Sequence, residues 1–274
     1  MELFLEKFRI QEYLLFVLLG IAGSVIISNM FGVSAATEFS SSLSIILSAS
    51  VLFLSIFMVS NYGIQGNHGK SWILFMIFAA YWFFAEFIGP IHEFALGTTP
   101  WEYADDFFYI VGYQLFFASL IFYLKPFKNQ ISKKLILGVS SIAALLLVPS
   151  LFFITNSEVE MINNNIVLAG VYTILDSVIL IPALIGVVLF FKGEVNFMFS
   201  LISLGIVCQI IGDNSVLYTS LKSMYYSGHP IDILFLWTYT LFSFGLFNQL
   251  GLFNSTQESK SCPACGKSCN CVSK

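Results

Sequence analysis

The sequence predicts an all-α integral membrane protein with eight transmembrane helices. Three observations predict it. The chain of 274 residues is 57% hydrophobic and only 10% charged, whereas a soluble domain carries about 25% charged residues. Its 30 Phe would give a water-exposed surface far too much apolar area. Eight continuous apolar runs each approach the roughly 20 residues that a helix needs to cross the hydrocarbon core. The runs do not alternate, which argues against strands, and a helix satisfies its own backbone in lipid.

The runs cover 12–33, 42–62, 71–90, 106–124, 134–154, 165–191, 195–217 and 232–252. Ahead of the first, MELFLEKFRIQ reads as a short interfacial lead-in or a frayed helix start. Lys7 and Arg9 before this run and Ala35–Ala36 after it resemble a signal peptide. The run exceeds the roughly 7–15 apolar residues of a signal core, so it is expected to be retained. Trp72 reads as an anchor in the interfacial belt, as do Trp82, Trp101 and Trp237 at the other boundary, with pocket lining as the alternative for these three.

Orientation follows from the basic residues, which favour the cytoplasmic side. With the N-terminus inside, every Lys and Arg except Lys222 falls inside. Both termini are therefore expected in the cytoplasm of a plasma-membrane protein. The outer loops carry Glu38, Glu93, Glu102, Asp105, Glu158 and Glu160. The lipid bilayer is the expected environment, nucleic acid is not an expected partner, and the oligomeric state is not legible.

Helices 4 and 8 repeat one pattern. DFFYIVGYQLFFASL from Asp106 and DILFLWTYTLFSFGL from Asp232 both fit D-x-x-[YF]-x-x-x-Y-x-L-F-x-x-x-L. Tyr109 matches Phe235, and Tyr113 matches Tyr239. GTTP and SGHP turns precede them, and Glu86 and Asp213 end the helices before the turns. The expectation is a parallel duplication, residues 1–127 and 128–253, related by an axis along the membrane normal. Residues 254–274 form a separate cysteine-rich tail.

The repeat gathers chemistry at the outer end. Glu86, Asp106, Asp213 and Asp232 border the turns that hold His92 and His229, and Asp176 lies about 16 Å below the outer boundary of helix 6 at 1.5 Å per residue. An Asp at mid-membrane costs about 2.5–3.5 kcal/mol on insertion scales, and no Lys or Arg lies within a span to pair with one. The acids are then protonated, line a wet cavity or hold a cation. Oxygen ligands suit Ca²⁺, Mg²⁺ or Mn²⁺, and His92 or His229 would admit Zn²⁺. Tyr109, Tyr113, Tyr218, Tyr239 and Asn214 are hydrogen-bond partners, and such bonds can equally be purely structural. Asp105 and Asp106, at the head of helix 4, also suit its N-terminal dipole and capping positions.

The tail reads CPACGKSCNC. Cytosolic thiols stay reduced. Cys262 and Cys265 resemble one zinc knuckle, but Cys269 and Cys271 follow at once, which departs from a ribbon. A compact thiolate site for Zn²⁺ or Cu(I) is expected, with free or acylated cysteines as the alternative. NSTQESK, at 254–260, reads as a polar linker, and Cys208 as an inert apolar residue.

The stretch from Tyr81 to Phe117 resembles the membrane region that precedes PAS, GGDEF and EAL domains in bacterial diguanylate cyclases and phosphodiesterases. Pro100, Ala104, Asp106, Tyr109, Tyr113 and Leu115 take the places of that region's P-S-x-A-D-x-x-Y-L-x-x-Y-x-L pattern, with one or two residues inserted after Pro100. In the second half, Asp213, Tyr225 or Tyr226 with Gly228, and Asp232 are similar, but Phe235 stands where Trp is usual and Trp237 follows two residues later. The resemblance implies a sensory input module. Only about 20 residues follow helix 8 here, so a signal is expected to pass to a cytoplasmic partner or to the tail. A cation or small-solute transporter is the first alternative. A lipid hydrolase using the acids, His92, His229 and the Gly212–Asp213 pair is the second, although no G-x-S-x-G, H-E-x-x-H or P-loop is present.

Overall fold

The structure, a computed structural model, describes residues 2–90, 104–156, 164–191 and 195–260. Among them the chain forms eight long α-helices: α1 (Glu2–Met30), α2 (Val33–Tyr62), α3 (Gly66–Pro90), α4 (Ala104–Leu124), α5 (Lys133–Asn156), α6 (Asn164–Leu189), α7 (Val195–Leu221) and α8 (Ile233–Lys260). Short 3-10 turns at Lys125–Gln130 and Pro230–Asp232 lead into α5 and α8. Seven helices, all except α5, are long and apolar enough to cross a membrane among the described residues.

Several helices outrun their apolar segments. The lead-in at 2–11 is continuous with α1. The break between α1 and α2 falls at Gly32, whose φ of 106° few other residues adopt. From there SAATEFSSS holds no breaker, so α2 begins at Val33 and not near 42. The expected linker at 254–260 is the last turns of α8. Ser132 caps α5, its hydroxyl accepting from Leu135 N–H at 3.1 Å.

The packing closes a ring. α2 packs on α3, α3 on α4, α4 on α6, α6 on α7, α7 on α8, and α8 back on α2. α1 lies against α2 and α8, and α5 against α6 and α7. The pairs α1–α2, α2–α3, α3–α4 and α2–α8 thus have counterparts four helices later in α5–α6, α6–α7, α7–α8 and α6–α4.

In lipid, apolar side chains gain little by leaving their surroundings, so close packing and polar ties hold helices together. The ties are present. Ser71 Oγ donates to Ser119 O at 2.8 Å between α3 and α4. Ser50 and Ser243 meet at 2.7 Å between α2 and α8. Thr238 Oγ1 donates to Gly205 O at 3.0 Å between α8 and α7. Gln249 Nε2 donates to Tyr62 Oη at 2.8 Å.

Aromatic rings fill the centre. Phe78 stacks on Phe116 with centroids 4.4 Å apart, and Phe242 reaches both rings at 6.4 and 5.5 Å. Trp82 sits above them, 4.7 Å from Phe78. Trp72 and Trp82 are therefore not interfacial anchors: they are 2% and 3% exposed and belong to the core. Gly112 makes room for Trp82, because a Cβ there would lie 2.5 Å from the indole Cδ1. Trp237 is half-buried and donates from Nε1 to Leu18 O at 3.0 Å, tying α8 to α1.

Candidate ligand-binding site

The helices of the ring diverge at the end where α3 and α7 finish and where α2, α4, α6 and α8 begin. A cavity of about 500 Å³ opens there, walled by all six. Its acids are Glu86, Asp105, Asp106, Asp213 and Asp232, and none of its described lining residues is Lys, Arg or His. Tyr109, Tyr113, Tyr172, Tyr225 and Tyr239 interleave with the acids.

Two carboxyl clusters lie on the adjacent helices α3 and α4. In the first, Tyr239 Oη of α8 donates to Glu86 Oε1 of α3 at 2.7 Å, with Tyr109 and Ser44 beside the same carboxyl. In the second, Tyr172 of α6 donates its hydroxyl proton to Asp106 Oδ1 in the first turn of α4. Asp105 shares that turn, where carboxylates complement the helix dipole. Asp213 of α7 lines the wall beside Gln209. Asp176 lies one layer deeper on α6, outside the lining, with its carboxyl near Asp213 and Tyr113. Asp213 Oδ2, Asp176 Oδ2 and Tyr113 Oη are buried atoms with no hydrogen-bond partner among the described residues. Glu86 meets Tyr239 across α3 and α8, and Asp213 lies near Tyr113 across α7 and α4.

Asp232 works differently from Asp106. Its Oδ2 accepts from Gly228 N–H at 2.7 Å and its Oδ1 from Tyr225 Oη at 3.1 Å, so it braces the turn before α8. Burial and the neighbouring Asp232 push the Tyr225 hydroxyl well above its usual pKa, so it remains a donor. The turn is seated on α1 and α2. Asn29 Nδ2 donates to Gly228 O at 2.9 Å, Tyr226 Oη to Asn29 Oδ1 at 2.6 Å, and Thr37 Oγ1 to Ser227 O at 2.6 Å. Gly228 has φ of 86°, and a Cβ there would lie 2.4 Å from the backbone of Ala36. His229 lies outside the cavity lining. Its Nδ1 accepts from Ile231 N–H at 3.2 Å, and burial lowers its pKa.

The structure thus brings Glu86, Asp106, Asp213, Asp232, Tyr109, Tyr113 and Tyr239 to one cavity and leaves Asp176 beneath it and His229 beside it. Tyr218 is largely exposed and accepts from Lys222 Nζ. Asn214 Nδ2 donates to Ile210 O at 2.8 Å. His92, Cys262, Cys265, Cys269 and Cys271 lie outside the described residues. Cys208 is buried. Sequence reasoning missed Tyr172, Gln209 and the serines of α2. Tyr172 precedes Asp176 by four residues, the spacing that places two side chains on one helix face. Ser40 and Ser41 stood in a stretch read as outer loop, and Ser44 at the start of the second apolar run. Among the described residues no group of three or more His, Cys, Asp or Glu is placed to hold a metal ion.

By length and composition the helices define a multi-pass helical membrane protein in a lipid bilayer, with an acid- and tyrosine-lined cavity at one end of the bundle. No family model, curated protein or solved structure matches the chain.

Proposed function

We propose that this chain is a sensory membrane module of eight spans, built from two parallel four-helix halves, that receives a cationic ligand at its extracytoplasmic face. The observation that carries the reading is the cavity with five carboxyl groups and no basic residue among its described lining residues. Low-dielectric walls of one sign concentrate counter-ions. α5, at 24 residues, supplies the eighth span. The offset-of-four packing supports the two halves, and the placement of Lys and Arg supports both termini inside the plasma membrane. Binding would draw the α3–α4 and α7–α8 hairpins together, and the other ends of α4 and α8 would report to a cytoplasmic partner. The thiolates of Cys262, Cys265, Cys269 and Cys271 would hold Zn²⁺ or Cu(I) at that end. The aromatic packing beneath the cavity favours reception over transport.

A test needs no knowledge of the ligand. In a background with the five cysteines changed to Ser, Ser44→Cys places one thiol in the cavity wall. Applied outside intact cells, a cationic methanethiosulfonate should label it at least about tenfold faster than an anionic one. Asp106→Asn with Asp232→Asn should narrow that ratio. Equal rates, or labelling only from the cytoplasmic side, sink the proposal.

A further inference from the structure

We infer that the ligand is an organic ammonium ion bearing N–H donors, a primary amine of small-molecule size, anchored by Asp213 and Tyr113. The inference rests on the cation-site reading above and narrows it to one chemical class.

Three properties of the cavity select the class. The first is size. Its volume of about 500 Å³ falls within the roughly 300–1,000 Å³ of small-molecule pockets. A metal ion, even with a shell of waters at roughly 30 Å³ each, leaves much of it unfilled. The acids are also spread over α3, α4, α7 and the turn before α8, and no three among the described residues converge as metal ligands.

The second is the state of the polar atoms. Glu86 already accepts from Tyr239, Asp106 from Tyr172, and Asp232 from Tyr225 and Gly228. Asp213 Oδ2 and Tyr113 Oη have no hydrogen-bond partner among the described residues, yet these residues are 9% and 2% exposed and both line the cavity. A buried polar atom left unpaired is costly, and one ammonium group offers three N–H donors. A quaternary ammonium has none and would leave both oxygens unpaired.

The third is the aromatic content. Tyr109, Tyr172, Tyr225 and Phe235 share the lining with the acids. Ring faces attract a cation and also pack against its alkyl or aryl stem. A bare divalent ion uses neither property.

The probes are putrescine, phenethylamine, choline, MgCl₂ and CaCl₂, titrated against full-length protein in lipid nanodiscs by calorimetry. At least one of the two primary amines should bind saturably, with choline weaker by about tenfold or more. Asp213→Asn should weaken the amine by about tenfold or more, and Tyr113→Phe, which removes only the unpaired oxygen, by several-fold. Both variants must first match the wild type in gel filtration and helical content. If Asp213→Asn fails that check, Tyr113→Phe decides. Choline binding as tightly as the amines overturns the inference, as does unchanged amine affinity in the folded variants. Saturation by Mg²⁺ or Ca²⁺ alone overturns it while leaving a cation site in place. Silence from all five probes also overturns it, and the charge-selective labelling of the Ser44→Cys variant then decides the broader reading independently.

Discussion

Single residues set the floor of the cavity. Trp82 touches Tyr109, Tyr113 and Tyr239 with centroid separations of 6.0, 5.2 and 5.9 Å, so one indole supports tyrosines from both hairpins. Its position depends on the missing side chain at Gly112. Gly112→Ala would put Cβ 2.5 Å from Cδ1 and 2.7 Å from Nε1 of a ring that is buried on all sides. The ring must tilt, and overpacking of this kind costs about 1–3 kcal/mol. The expected outcome is a lower melting temperature in detergent and weaker ligand binding than in Gly138→Ala, where a Cβ meets nothing within 4 Å. Equal behaviour of the two variants removes Trp82 from this role. Glu86, Asp106, Asp213 and Asp232 were legible, because charge in or beside an apolar run stands out against its cost, and Tyr109, Tyr113 and Tyr239 with them through the repeated pattern. The role of Trp82 was not, since a Trp in an apolar helix reads the same in a belt and in a core.

At the scale of elements, the turn between α7 and α8 carries the most interactions that sequence could not disclose. Its Gly228 and Asp232 were visible, but its seat on Asn29 and Thr37 joins residues 199 and 190 positions apart. Hydropathy likewise finds the part of a helix that crosses lipid, not the turns that continue past it. That is why the expected start of α2 falls too late and leaves Ser40 and Ser41 outside it. The turn has a titratable latch. His229 Nδ1 accepts from Ile231 N–H, so protonating that nitrogen removes the acceptor. Folding lowers the His229 pKa below the 6.5 of an unfolded chain. Its contribution to stability is therefore present above pH 6.5 and lost as the pH falls through and below that value. Between about pH 7.5 and 5.5, wild-type protein should lose more melting temperature than His229→Asn, which keeps an acceptor that does not titrate. An identical loss in both would show that the latch contributes nothing.

For the molecule as a whole, the ring of six helices turns a linear list of spans into one chamber. The number of long helices and their apolar character were readable from composition and run length. The ring order was not, because α2–α8 and α4–α6 contacts join helices far apart in sequence. α8 is the member that reaches farthest: it borders the cavity at Asp232 and runs on to Lys260, ahead of CPACGKSCNC. Full-length protein should carry about one zinc or copper ion per chain. Truncation after Lys260, which leaves α8 whole, should remove it. Metal retained by the truncated protein, or absent from both, rules out the thiolate site.

The aromatic layer of Phe78, Phe116, Phe242 and Trp82 has an electrical consequence. In an energised membrane the potential falls mainly across material that excludes water, and moving one elementary charge through all of it is worth about 2.3 kcal/mol per 100 mV. In the proposed orientation these packed rings would form such a dielectric, and the chamber above them would stay close to the potential of the outer solution. A cation settling among the carboxyls would cross little of the field. Its occupancy would then follow concentration outside the cell and ignore whether the membrane is charged.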